Sequence, residues 1–261
     1  MPGRPLSLLA PLAMAASPYR RRFFAMWDRF ESTSAVRAQS TLRALDVANA
    51  PGLILTGSLA LEHHIEHLGG PCVHRAIHDI DFVCESYEAI PTAFFRAMTV
   101  RHNHPGDPPG KTLFQGVYEA SRMRVDVFRA YGDVARRAVS IGAVIRAVSH
   151  GDMLARLARL CLPITRGEPI ERKFARDFIR LLDLSAGMPV DAIWQEHRKA
   201  PDPLRFVEVT TLLRSAIESQ SGLLVERENG TDPNIYCRRC KETRVEQRDS
   251  GRRMLETLGY C

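Results

Sequence analysis

Two aspartates at strand spacing, Asp79 and Asp81 in His78-Asp79-Ile80-Asp81-Phe82-Val83, lie about twenty residues after the apolar run Leu53-Ile54-Leu55-Thr56, which ends in Gly57-Ser58. Alternate residues of a strand share a face, so the two carboxylates point the same way while Ile80 and Phe82 enter a core. Carboxylates roughly 6 to 7 Å apart along a strand can share a pair of divalent ions, which in two-metal sites lie about 3.5 to 4 Å apart. Magnesium suits this chemistry: it takes oxygen ligands and completes its shell with water and substrate phosphates. The third carboxylate is sought in Arg122-Met123-Arg124-Val125-Asp126-Val127-Phe128, where Met123, Val125 and Val127 alternate with Arg122, Arg124 and Asp126. That alternation is a half-buried strand with Asp126 on its polar face. Gly57 lets a phosphate approach the backbone, and Ser58 is the expected cap of a helix from Leu59 to Leu68, whose free N–H groups favour an anion. The pattern is a phosphate cradle followed by metal ligands.

These side chains need a sheet to hold them. Residues 53–56 are expected as a strand, and Gly69-Gly70-Pro71 ends the helix after Gly57-Ser58. Beyond the aspartate pair the pattern predicts a helix over Tyr87 to Met98 and a strand over Thr99 to His102. The turn-rich loop His102 to Lys111 carries Lys111 as a candidate phosphate contact. Thr112 to Tyr118 and Arg122 to Phe128 form an antiparallel pair that delivers Asp126. Upstream, Tyr19 to Phe30 and Ser34 to Asn49 are expected as helices covering the sheet. Tyr19-Arg20-Arg21-Arg22 reads as a solvated helix start. Downstream, a strand over Val144 to Ser149 leads into a helix from Gly151 to Leu162, capped by Ser149 or Asp152. Glu171 to Leu184, Val190 to Lys199 and Pro203 to Ser219 complete a helical half. The predicted class is α+β: a mixed sheet flanked by helices, then a helical half and a small Cys-containing tail. The expected divisions are a flexible extension over 1–18, an α/β core over 19–150, a helical subdomain over 151–222 and a Cys-rich tail over 223–261.

Gly57, Ser58, Asp79, Asp81 and Asp126, taken in this order and context, resemble the signature of the DNA polymerase β superfamily of nucleotidyltransferases, and the resemblance is closest to the AbiEii/AbiGii toxin family. Arg75, the Asp79-Ile80-Asp81-Phe82 core and Arg176-Asp177 support it, and it covers roughly residues 50 to 185. The resemblance implies a nucleotidyltransferase-type sheet and a metal-dependent enzyme. Such an enzyme moves a nucleoside monophosphate from a nucleoside triphosphate to a hydroxyl acceptor, which could be RNA, protein or a small molecule. It implies two magnesium ions on Asp79, Asp81 and Asp126, and phosphate contacts from Gly57, Ser58 and Arg75. Lys173 or Arg176 would steady the triphosphate, Asp177 would orient a base or ribose hydroxyl, and an antitoxin could be a partner. The family's usual helix lysine aligns with Leu157, flanked here by Arg156 and Arg159. Ile77 replaces the hydroxyl residue that commonly follows the arginine.

The formal charge of +6 and the pI near 9.2 favour anionic partners such as nucleotides or RNA. No apolar run reaches the ~20 residues of a membrane span, and a cytoplasmic location is expected, consistent with six cysteines in no compact disulfide pattern. Cys237-Arg238-Arg239-Cys240 has zinc-knuckle spacing. With Cys261 it would give three ligands of a structural zinc, the fourth coming from Cys72 or from the histidines of residues 63–78. Two other readings stand beside transfer: a module of the same fold, weakly active or inactive, that binds RNA or a partner protein, and a zinc metalloprotease using His63-x-x-Glu66-His67. His78 is expected to be buried.

Overall fold

A computed structural model describes residues 26–141 and 145–226. The extension over 1–18, the Tyr19-Arg22 run, Cys237, Cys240, Cys261 and the proposed zinc knuckle lie outside the described residues.

After a 3-10 turn at Met26–Arg29, helix α1 covers Ser32–Ala44, with the Glu31 side chain accepting from the Thr33 and Ser34 N–H groups. Strand β1 (Ile54–Thr56) runs directly into α2 (Gly57–His67), and β2 is Asp79–Cys84. The expected helix over 87–98 is shorter. A 3-10 turn at Tyr87–Ala89 is followed by α3 (Thr92–Ala97), because Pro91 lacks the N–H that would continue a helix through it. Strands β3 (Met98–Asn103), β4 (Thr112–Tyr118) and β5 (Met123–Arg129) follow. A short helix α4 (Val134–Arg137) and the strand β6 (Val139–Ile141), neither expected from the sequence, precede β7 (Ile145–Ala147). The helical half comprises α5 (His150–Cys161), α6 (Arg172–Asp183), α7 (Asp191–His197) and α8 (Phe206–Ser219). Two short parallel strands, β8 (Ile170–Glu171) and β9 (Leu224–Val225), bracket its last three helices, α6 to α8.

The described strands β1 to β7 form one mixed sheet in the order β3-β4-β5-β2-β1-β7-β6. The arrangement is α/β, a mixed sheet flanked by helices. β2 lies antiparallel to β1 and parallel to β5, so the strands that carry the aspartates are neighbours. β4 and β5 pair antiparallel, as the sequence predicts. The burial pattern of β5 follows its alternation: Met123, Val125 and Val127 are buried, and Arg124 is half-buried. Phe82, Phe94 and Phe114 pack with ring centroids 6.3 Å apart, in the tilted geometry that aromatic quadrupoles favour.

The helical half does not sit apart from the sheet. One continuous cluster of buried side chains runs from Ile54, Ile80 and Val125 through Leu154 and Ala158 to Phe178, Trp194 and Val209. α5 is its hinge piece. The Ser149 hydroxyl accepts from the Asp152 N–H at its N-cap, and Met153, Leu154 and Leu157 turn inward at helical spacing.

Candidate metal and phosphate site

Strand register brings the three predicted carboxylates together. Asp81 stands opposite Thr56 on β1 and opposite Asp126 on β5, and Asp79 stands opposite Arg124. One oxygen from each of Asp79, Asp81 and Asp126 falls within 4.8 Å of the others. Among the described residues no other set of three His, Cys, Asp or Glu side chains converges in this way. Asp126 is buried, whereas Asp79 and Asp81 are half-buried at the rim.

The β1-to-α2 turn closes one side. Gly57 has φ +65°, and a Cβ there would fall 2.0 Å from Asp81 Oδ2. Glycine is required twice over, for the left-handed backbone and for the close approach of the carboxylate. The helix begins earlier than predicted: Thr56 is its N-cap, without a side-chain cap bond, and Gly57 and Ser58 are its first two residues. Ser58 therefore does not cap the helix. The free N–H groups of this first turn face the end of β1 where Asp81 lies, the arrangement that favours an anion.

Crowding of three acids in a poorly solvated spot shows in their proton affinities. Burial, then the charge of Asp79, pushes Asp81 up to about 7, with Asp126 adding to it. Burial likewise raises Asp126 to about 6, against the opposing pull of Arg124. Asp126 Oδ1 is buried with no hydrogen-bond partner. An orphaned carboxylate oxygen beside two further carboxylates fits a divalent cation, whose charge and oxygen preference answer both deficits.

Two arginines complete the site: Arg124, which carries no role in the sequence reading, and Arg156, one of the pair flanking Leu157 at the position of the resembled family's helix lysine. Arg124 Nη2 pairs with Asp79 Oδ2, and its Nε lies 3.2 Å from Asp126 Oδ2, so this guanidinium neutralises part of the cluster. Its signal was available in the strand alternation, which places residue 124 on the face of residue 126. Arg156 donates to Thr56 Oγ1 at 3.3 Å, stacks 4.6 Å from the Phe128 ring centroid and lowers the proton affinity of Asp81 and Asp126. It reaches the site from α5, one residue before the buried Leu157. No local pattern reveals that contact, since it depends on how α5 packs over the sheet.

The other predicted contacts gather elsewhere. Arg75 Nη1 donates to Asp177 at 3.1 and 3.0 Å and lies 3.4 Å from Glu62 Oε1. Arg180 and Arg29 join the same buried Glu62, at 2.8 and 3.6 Å. Arg75 and Asp177 are thus engaged with each other, tying the segment before β2 to α6. Arg176 is half exposed, 3.6 Å from Asp177 Oδ1, and Lys173 pairs with Glu171 Oε2 at 3.3 Å. Lys111 and His78 are exposed, and the expectation of a buried His78 fails because β2 begins only at Asp79. On α2, the His63 and His67 rings stack at 6.4 Å, while His64 is buried against the Val148 carbonyl at 2.9 Å. Burial, followed by neighbouring histidines, lowers His63 to about 4, so its imidazole is neutral at ordinary pH. Cys72, the candidate fourth ligand for a tail zinc, is exposed.

No protein-family description matches the chain, and no curated protein matches it. No helix among the described residues is long and apolar enough to cross a membrane.

Proposed function

We propose that the protein is a metal-dependent nucleotidyltransferase of the polymerase β type, resembling the AbiEii toxins, which moves a nucleoside monophosphate from a nucleoside triphosphate to an acceptor hydroxyl. The observation that carries this reading is the convergence of Asp79, Asp81 and Asp126 within 4.8 Å, with Gly57 pressed against Asp81. Magnesium held by these three carboxylates would neutralise phosphate charge and acidify the acceptor hydroxyl. The chain's own groups do the rest. The Gly57-Ser58 turn receives the outer phosphates on backbone N–H groups. Arg156 faces the carboxylates with a positive charge that steadies the leaving pyrophosphate. Asp126 accepts the hydroxyl proton. The acceptor oxygen then bonds to the α-phosphorus, and the bond to the pyrophosphate oxygen breaks. Arg75 and Asp177 serve on this reading as a structural tie between segments, since their side chains satisfy each other.

A second reading, a binding module of this fold without catalysis, draws on one observation: Arg124 already supplies a cation to Asp79 and Asp126. The two readings separate in one experiment. Incubation with magnesium and each labelled triphosphate, with and without cell extract, should release pyrophosphate and label one class of acceptor. Asp79→Asn should cut this rate by about a hundredfold or more, the loss of several kcal/mol of charge stabilisation, with unchanged far-UV circular dichroism. Full activity in that variant sinks the enzyme reading, and triphosphate binding without any pyrophosphate release favours the module.

A further inference from the structure

The two guanidiniums beside the acids are held in different ways. Arg156 rests on neutral partners, the Thr56 hydroxyl at 3.3 Å and the Phe128 ring, whose centroid is 4.6 Å away. Arg124 rests on the acids themselves: its Nη2 pairs with Asp79 Oδ2, and its Nε lies 3.2 Å from Asp126 Oδ2. It thereby engages two of the three carboxylates whose oxygens converge within 4.8 Å. Each of these carboxylates has a second oxygen, so its conflict with a divalent ion is one of charge more than of room. Three carboxylates against two guanidiniums leave a single negative charge, and a divalent ion added to that set would leave a poorly solvated site with an excess of positive charge. Such an excess is costly away from water. Arg156 can keep its neutral partners when an ion is bound, whereas the charge balance favours the departure of Arg124.

The sheet gives Arg124 somewhere to go. β1 runs antiparallel to β2, and β5 runs parallel to β2. The C-terminal end of β1, where Gly57 and Ser58 open α2, therefore lies at the same end of the sheet as Asp79 and Arg124, near the starts of β2 and β5. Arg156 stands beyond the acids in the other direction, over Phe128, two residues past Asp126. Arg124 is thus the guanidinium on the side of the phosphate cradle. It is one strand, roughly 4.7 to 4.9 Å, from Asp79, and two residues further along, roughly 6 to 7 Å, is Asp81, against which Gly57 is pressed. An arginine side chain spans such a gap. This one is 31% exposed, so it can turn without opening the core.

We propose that Arg124 is an exchangeable counter-ion: it holds the carboxylates until a polyphosphate anion arrives, then passes from Asp79 and Asp126 to the phosphates seated at Gly57 and Ser58, freeing the carboxylates for the divalent ion. The inference rests on the metal-site reading above and adds a coupling to it. With Arg124 in place the carboxylates take a divalent ion weakly, and polyphosphate and ion bind together. Only ion pairs are exchanged, with no covalent step. The guanidinium suits both states, because its planar fork matches carboxylate and phosphate oxygens alike.

Calorimetry on the full chain tests the exchange with two probes, magnesium chloride alone and inorganic tripolyphosphate premixed with saturating magnesium. Magnesium alone should bind at least about tenfold tighter to Arg124→Gln than to wild type, and the premixed tripolyphosphate about tenfold weaker, each the size of one charge-assisted contact. The two shifts have opposite signs, which general damage to the fold does not produce. Arg124→Lys, which keeps the charge and loses the fork, serves should the glutamine variant fail to fold: its magnesium affinity should stay near wild type while tripolyphosphate binding weakens several-fold. Magnesium binding that is unchanged or weaker in Arg124→Gln overturns the exchange and leaves Arg124 a fixed partner of the carboxylates. Tripolyphosphate binding at the wild-type level in either variant overturns the transfer to phosphate. If neither probe binds wild type or variant, the metal-site reading falls together with this inference, whereas the other two failures leave that reading standing.

Discussion

Gly57 is the residue on which the site has least freedom. Any side chain there meets a left-handed backbone cost of roughly 1 to 2 kcal/mol and a collision with Asp81. Gly57→Ala should therefore lower the melting temperature and abolish pyrophosphate release, whereas Ser58→Ala, which removes no cap, should do far less to stability. Thermal melts of the two variants side by side check this. The acids make a second prediction, in pH. Asp81 and Asp126 are raised from 3.8 to about 7 and about 6, so the fold binds protons more tightly than the unfolded chain does. Without metal, stability contributed by these protonated acids is full below the unfolded value and is lost as pH rises through the folded values. A divalent ion competes with the same protons. The rise in melting temperature caused by magnesium should accordingly be small near about pH 5 and reach its full size above about pH 7. A magnesium shift that is largest in acid would contradict the shared site.

At the scale of elements, the site depends on helices being pinned to the sheet by buried charge. Glu62 on α2 is fully buried and meets Arg29, Arg75 and Arg180, so it joins the N-terminal turn, the segment before β2 and α6. Removing its charge leaves Arg75 and Arg180 to share Asp177 and Arg29 only the more distant Glu66, and breaking a buried pair of this kind typically costs about 3 to 5 kcal/mol. Glu62→Gln should destabilise by that order in urea unfolding, with loss of activity following from α6 rather than from any contact with substrate. A change of under about 1 kcal/mol, the range of surface ion pairs, would mean that apolar packing alone holds these elements. On the far side, Arg137 of α4 binds Asp152 of α5 and Glu196 of α7. His197, whose Nε2 lies 3.5 Å from Asp152 Oδ1, and the hydrogen bonds of Arg137 and Ser149 together outweigh burial there and hold Asp152 at about 2. α4 escaped the sequence reading because four residues are too few to show a helical period; its position is set by these long-range ion pairs.

For the whole molecule, the continuous core from sheet to α8 implies cooperative unfolding rather than independent melting of a helical half. The two tryptophans, Trp27 and Trp194, are both buried and lie at opposite ends of the described chain. The fluorescence of Trp27 in a Trp194→Phe variant, and of Trp194 in a Trp27→Phe variant, should each follow the far-UV signal of its own protein through one midpoint. Separate midpoints would divide the chain near residue 150, where the sequence suggested a boundary. The sequence by itself determined what is local: strands β2 and β5 from their alternation, the helix α5 with its cap narrowed to Ser149 or Asp152, the identity of the three acids and the glycine at the turn. Those follow from periods of two or 3.6 residues and from side chains with one chemical use. Only the tertiary structure decided which charges meet. It sent Arg75 to Glu62 and Asp177 and brought Arg156 over the carboxylates from a helix thirty residues downstream of Asp126. Pairing of this kind is set by desolvation and packing between distant segments, and sequence spacing contains no record of it.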